Sequence, residues 1–351
     1  MFPMRSKIIK LKDFREAEVE LQEAAEVIRR GGIVVFPTET VYGLGANAFD
    51  ENAVRRIFEA KGRPVDNPLI VHIASLSQLD QVVSQITPNE EIFERLYTKL
   101  WPGPATFIMP RNKKVPPIVS GGLDTVGVRM PAHPLAMKLI ELAEVPVAAP
   151  SANLSGRPSP TDEHHVLEDM DGRADVIVLA GRTPLGVEST VIDLTVFPPR
   201  LLRPGPIDPE SLESILGVGI QVDGLVRGLS SHERPVSPGM KYRHYAPSKP
   251  LVLIEGSEEF ILNEIKRFQQ KHSIAVICST QLSRRLKGSP YILPWGDRND
   301  PFSAARNLFE FLRKAEKLPV DVIVTEGLEE KGIGLAVMNR LRRAASKVIR
   351  E

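Results

Sequence analysis

Cysteine occurs once in these 351 residues, as Cys278, which excludes an internal disulfide framework and any multi-cysteine metal site. Aromatics are sparse, with two tryptophans and five tyrosines, and no RNA-stacking aromatic motif is present. Charge of one sign is lacking as well. The formal net charge is +1, so nothing general draws the chain to nucleic acid or an anionic membrane. No apolar run approaches the ~18 residues of a membrane span, and Met1–Lys10 holds no apolar signal core. A soluble, cytoplasmic protein is expected. Walker lysine motif, metal-binding histidine spacing and nucleophile elbow are all missing.

What is there suits two globular domains. Apolar residues make up 42% and charged residues 25%, and the length allows each domain its own core. Leu21, Ala24, Ala25 and Ile28 recur at helical spacing and predict an amphipathic helix over 16–30, stopped by Gly31-Gly32. Ile33–Phe36 reads as a buried strand. Asp50 caps a second helix that faces the core through Val54, Ile57 and Phe58 and ends at Lys61 before Gly62 and Pro64. Further strands are expected at 69–73, 105–109, 125–129, 145–149, 176–179 and 190–193, with helices near 89–100, 134–143 and 161–169. Their irregular interleaving predicts a mixed, twisted sheet. From about residue 249 the pattern becomes regular. Strands at 251–254, 274–277, 291–293 and 320–325 each precede a helix, the last running from Leu335 to Ile349. That is a small parallel α/β domain. Cys278 falls in its second strand and reads as an inert core thiol.

Between the two lies 224–248, a linker by composition. It contains Ser237–Pro247, with Lys241, Tyr242, Arg243, His244 and Tyr245, and a passive tether normally lacks aromatics. This segment is therefore expected to dock, folding over the N-terminal pocket as a lid. The domain limits are then 1–223, 224–248 and 249–351.

The chemistry concentrates in residues 36–72 and in Ser151-Ala152-Asn153. Lys61 and Arg63 are two cations separated by one residue, expected in an exposed turn after Gly62, and Asn67 and His72 follow. Ser151 and Asn153 add neutral donors at a strand end, where α/β sites gather. Such a mixture suits a nucleotide phosphate beside a small polar substrate. Blander readings stand beside these. A lysine in a last helical turn simply favours the helix dipole, and a histidine in an apolar strand is usually a satisfied core residue. Gly43–Ala48 imitates a dinucleotide fingerprint, but a tight turn explains it. His164-His165 reads as a solvated pair at a helix start, and Gly332-Ile333-Gly334 carries no nucleotide role.

Taken together, the motifs resemble one family. Pro37–Gly45, Lys61-Gly62-Arg63-Pro64 with Asn67-Pro68-Leu69, Trp101–Pro104, Val128–Pro131, Ala149–Gly156, Ser189–Val191 and Leu202–Gly205 are similar to the threonylcarbamoyl-AMP synthase family, the YrdC-like domain. They keep the family order over residues 10–210. Ser237–Pro247 and the α/β tail resemble its long, two-domain form. The implied architecture is α/β, a YrdC-like mixed sheet with helices followed by a small Rossmann-like parallel domain. The implied activity is nucleotidyl transfer: L-threonine, bicarbonate (or CO2) and ATP give L-threonylcarbamoyladenylate and pyrophosphate. The product would pass to tRNA threonylcarbamoyl-transferase machinery. The resemblance implies Lys61 and Arg63 as catalytic cations. It implies ATP contacts at Lys61, Asn67, Thr125, Ser151, Asn153, Ser159, Arg203, Arg243 and Tyr245. Threonine contacts fall at Thr38, Arg63, His72, Arg129 and Ser189. Mg2+ is expected with ATP, held by phosphate and water because no acidic cluster announces a protein site.

Other classes remain on the table. A YrdC-like domain has a concave basic face, so an RNA-binding tRNA-maturation factor with weak RNA contact is the main rival. Carbamoyl transfer of the hydrogenase-maturation type requires zinc fingers that one cysteine cannot build. A catalytic C-terminal domain lacks a phosphate loop.

Overall fold

The computed structural model describes residues 5–11, 17–85, 90–222, 224–228, 244–286, 288 and 291–351. Among them, the first eleven strands are β1 (Lys7–Lys10), β2 (Val34–Phe36), β3 (Gly43–Asn47), β4 (Ile70–His72), β5 (Ala105–Pro110) and β6 (Thr125–Arg129), then β7 (Val147–Ala149), β8 (Val176–Leu179), β9 (Thr190–Asp193), β10 (Arg200–Arg203) and β11 (Gln221–Val222). They form one mixed sheet in the order β1-β8-β2-β3-β7-β4-β6-β5-β9-β10-β11. The expected mixed sheet is thus present. Side-chain alternation along β2 makes it two-faced: Val35 joins one core while Val34 and Phe36 join the other. Helices Glu18–Arg29 and Pro134–Ala143 cover the face of Phe36 and Val178. Helices Glu51–Lys61 and Glu90–Leu100 cover the opposite face, around Leu44, Val71 and Phe107.

The helix Glu51–Lys61 shows how local sequence places a site residue. The Asp50 carboxylate accepts from Asn52 N at 2.9 Å and Ala53 N at 3.1 Å, satisfying two orphan donors. Val54, Ile57 and Phe58 are buried as their spacing requires. Gly62 ends the helix at φ 60°, in the left-handed region, and redirects the chain so that Arg63 reaches Asn67 O and Pro68 O.

The second sheet is wholly parallel, ordered β14-β13-β15-β12-β16, from β12 (Leu251–Glu255), β13 (Ile274–Cys278), β14 (Tyr291–Pro294), β15 (Val322–Glu326) and β16 (Lys347–Arg350). The helix expected from Leu335 to Ile349 is instead Gly334–Ala344 followed by strand β16, which pairs with β12. Val348 and Ile349 are β-branched and pack against opposite cores, as neighbours on a strand do, a signal that the preceding helical periodicity masked. Cys278 is buried in β13, and burial together with Glu326 pushes its thiol up, so it is inert as expected.

Two sequence expectations are corrected here. Gly43–Ala48 is not a tight turn. Its first five residues are strand β3, antiparallel to both β2 and β7. His165 is not solvated: it is 5% exposed and its Nε2 lies 2.8 Å from Glu310 Oε2 of the C-terminal half. That contact belongs to an extensive interface. Arg313, 1% exposed, donates to Pro158 O and pairs with Asp169 at 2.5 Å, and Arg157 bridges Asp169 and Glu316. Val41, Val187 and Tyr245 join the apolar cluster of helices Pro301–Glu316 and Gly334–Ala344.

Candidate active site

Short strands and the turns that flank them build the site. β4 and β6 run parallel with His72 level with Arg129, and β7 runs antiparallel beside β4. The carboxyl ends of β4 and β6 therefore deliver an imidazole and a guanidinium to one edge. The Thr38–Gly43 turn, the Ala149–Ser151 end of β7, Glu188-Ser189 before β9 and Arg203 at the end of β10 close around them. The cavity between holds about 580 Å³ of unfilled space, part of it open to solvent. Arg63, Ile70, His244 and Tyr245 complete its walls.

Each side chain is held by identifiable partners. Thr38 Oγ1 donates to Val41 O at 2.6 Å and accepts from Thr40 N and Val41 N at 3.2 Å, which folds the turn. Arg129 spreads its fork over three partners: Gly103 O at 3.2 Å, Thr40 Oγ1 at 2.9 Å and the Glu39 carboxylate at 2.6 Å. Burial works against the Glu39 charge, but Arg129 more than offsets it and holds the carboxyl below its ordinary value. Arg203 donates to Ser189 O at 3.1 Å and to Ser189 Oγ at 3.0 Å, and that hydroxyl also bonds Thr106 Oγ1 at 2.8 Å. Arg63 donates to Asn67 O at 3.3 Å and Pro68 O at 3.1 Å.

The electrostatics are those of a concave cationic pocket. Burial lowers Arg63 and Arg203 to about 10, so both remain charged at neutral pH. Burial, then Arg129, lowers His72 to about 3; burial, then Arg63, does the same to His244. Both imidazoles are neutral there. Neutral donors and acceptors thus sit between fixed positive charges, an arrangement that receives an anion beside a polar group.

Of the residues singled out from sequence, Thr38, Arg63, His72, Arg129, Ser151, Ser189, Arg203 and Tyr245 line this cavity. Lys61 does not, and its expected exposed turn is corrected, as is that of Arg63. Lys61 is 2% and Arg63 8% exposed. The Lys61 ammonium donates to Ser151 O and Asn153 O, and burial, reinforced by Arg63, depresses its pKa well below the ordinary value. Asn153 also turns inward, its amide donating to Leu154 O at 2.8 Å and Arg157 O at 2.9 Å. Ser159 donates to Glu188 at 2.5 Å. Asn67 precedes β4 and Thr125 opens β6, so both lie at the other end of this parallel pair from His72 and Arg129. Arg243, with Ser237–Tyr242, lies outside the described residues. Sequence reasoning missed Glu39 and Glu188, both under 9% exposed and both paired with arginine. A carboxylate beside a site threonine or serine, flanking a buried strand, was the available signal.

The Sua5–YciO–YrdC family model, described as telomere recombination, matches residues 26–205. The model described as threonylcarbamoyl-AMP synthase, C-terminal domain, matches residues 207–346. The threonylcarbamoyl-AMP synthase of Pyrococcus abyssi is 51% identical over 94% of this chain and 95% of its own. That of Bacillus subtilis is 46% identical over 94% of each. The crystal structure of P. abyssi Sua5 complexed with L-threonine superposes with a TM-score of 0.90 at 48% identity, covering 98% of this chain and 99% of that one. The chain belongs to the threonylcarbamoyl-AMP synthase family.

Proposed function

We propose that this protein forms L-threonylcarbamoyl-AMP and pyrophosphate from L-threonine, bicarbonate or CO2, and ATP. The observation that carries it is the cavity itself, where Arg63, Arg129 and Arg203 surround a neutral His72 and the hydroxyls of Thr38, Ser151 and Ser189. Threonine supplies a carboxylate for the Arg129 side, and its hydroxyl meets the His72 and Thr38 side. Its amine captures CO2 to give a carbamate. A carbamate oxygen then attacks the α-phosphorus of ATP, an O–P bond forms, and the bond to the bridging oxygen breaks as pyrophosphate leaves. Negative charge gathers on the phosphoryl oxygens, so placed cations provide most of the acceleration. Arg63 and Arg203 fit that role in this geometry. Lys61 holds the Ser151–Asn153 loop that receives the nucleotide, and Asn67, Thr125 and Ser159 extend the ATP environment.

ATP enters as its magnesium complex. The carboxylates of Glu188 in the cavity lining and of Glu39 in the Thr38–Gly43 turn are already paired with Arg340 and Arg129, so the ion travels with phosphate and water. Arg243 and Tyr245 belong to the connecting segment, which acts as a lid over the pocket and shields the labile adenylate from water. The adenylate goes on to a tRNA-modifying threonylcarbamoyl transferase. The test is pyrophosphate release from ATP with threonine and bicarbonate each omitted in turn. Release that needs both establishes the reaction, while salt-sensitive tRNA binding without release favours an RNA-binding maturation factor.

A further inference from the structure

Arg340 belongs to the C-terminal domain, yet its guanidinium ends at the wall of the N-terminal pocket. It is fully buried in helix Gly334–Ala344. Nε donates to Glu188 Oε2 at 3.0 Å, and Nη1 donates to Pro204 O, next to Arg203. Its carbon centre lies 5.8 Å from the Tyr245 ring centroid. Glu188 is the only carboxylate that this interface shares with the cavity lining among the described residues; the pairs Arg313–Asp169, Lys317–Glu168 and His165–Glu310 stand away from it.

We propose that Arg340 is a positioning residue: by pinning the Glu188 carboxylate, the C-terminal domain keeps it from turning onto Arg203 and so preserves the phosphate-binding face of the pocket. Glu188 adjoins Ser189, whose O and Oγ accept from Arg203 at 3.1 Å and 3.0 Å, and its charge favours the protonated Arg203. Its two oxygens are divided between Arg340 and the Ser159 hydroxyl at 2.5 Å, so it stays on the interface side of the wall. Without Arg340 a buried carboxylate loses its counter-ion, and Arg203, across the same wall, is the cation it would recruit. A substrate phosphate would then compete with an internal anion. The second domain in this view sets the charge of the active site from outside it.

This rests on the ATP-dependent reading above, and the experiment separates the two. Pyrophosphate release and binding of a non-hydrolysable ATP analogue are measured for the full chain and for Arg340→Gln, Arg340→Lys, Glu188→Gln with Arg340→Gln, and Arg313→Gln. Arg340→Gln is expected to raise the ATP KM and analogue Kd about tenfold or more, with kcat changed less. The double variant should recover most of that loss, because the competing carboxylate is gone. Arg340→Lys should lie between, and Arg313→Gln should lower the thermal midpoint without a matching rise in ATP KM. A folded Arg340→Gln with native ATP affinity, or a double variant no better than the single one, overturns the proposal. Should Arg340→Gln fail to fold, a double variant that folds yet binds the analogue as poorly as Arg340→Lys or worse overturns it equally. Absence of threonine-dependent pyrophosphate release from the unsubstituted chain would instead sink the proposed reaction.

Discussion

Arg63 and Lys61 are two residues apart and have different tasks. Arg63 faces the cavity, so Arg63→Ala is expected to lower kcat/KM for pyrophosphate release by about 10²–10³-fold, as loss of an oxyanion-hole donor does. Lys61→Ala removes the donor to two loop carbonyls and should act first on stability, lowering the thermal midpoint together with activity. Both variants are to be compared by kinetics and thermal denaturation; an inactive Lys61→Ala with a native midpoint would put that ammonium on the substrate. The histidines give a second prediction. His72 and His244 titrate near 3 in the folded chain against an ordinary value of 6.5. Between these values the unfolded chain binds the protons and the native one does not. Their stabilisation is therefore full above pH 6.5 and drains away as pH falls toward 3, each at about 1.4 kcal/mol per pH unit. Glu39, held low by Arg129, acts in the same direction. His72→Asn should flatten the pH dependence of urea-derived stability by about one proton between pH 6 and 4.5, and an unaltered slope would show that the native imidazole is already charged.

Among the elements, those with strong local periodicity were legible in the sequence: Asp50 with Val54, Ile57 and Phe58 announced helix Glu51–Lys61, and its stop at Gly62 located Arg63. Features made by distant pairing were not. β3 is rich in glycine because neighbours crowd it. A Cβ on Gly45 would meet Val147 Cγ1 at 2.6 Å and Phe36 Cε1 at 2.7 Å, contacts that no local rule foresees. The burial of Lys61 arises likewise from the Ser151–Asn153 loop, whose accepting carbonyls are 90 and 92 positions away in the chain. The connecting segment is the element with most at stake. Tyr245 has φ 65°, an unusual conformation for a bulky residue, and stacks on Phe309 with centroids 5.4 Å apart while lining the cavity. Its placement against both domains suits a lid whose hinge is anchored on the C-terminal side. ATP plus threonine is expected to slow proteolysis after Lys241 and Arg243. Equal cleavage with and without ligands, combined with full activity of an Arg243→Ala, Tyr245→Ala variant, would leave the segment a spacer.

For the whole molecule, the interface decides how the two sheets respond to heat. Arg313 and Asp169 are essentially inaccessible and pair at 2.5 Å, with Arg157 as a second partner of the aspartate. Arg313→Ala should cost about 3 kcal/mol, the low end for breaking a buried pair, because Arg157 still compensates. Calorimetry should show one transition in the unsubstituted chain and two in the variant; a single unshifted peak in both would mean that the interface contributes little. Domain limits read from composition placed the linker at 224–248, yet composition could not show that Gly224–Arg227 forms a short 3-10 turn and that Val226 O accepts from Asn339 of the last helix at 2.8 Å. The burial of Arg340 against Glu188 has a further consequence, in time. The first sheet has all its strands once β11 has been made, and Glu188 itself precedes β9. The partner of Glu188 arrives 152 positions later. On a chain made from its amino end, where domains fold as units in order of emergence, the nascent first domain carries an unfinished pocket until helix Gly334–Ala344 has followed it. Completion of the pocket wall thereby waits on the second domain.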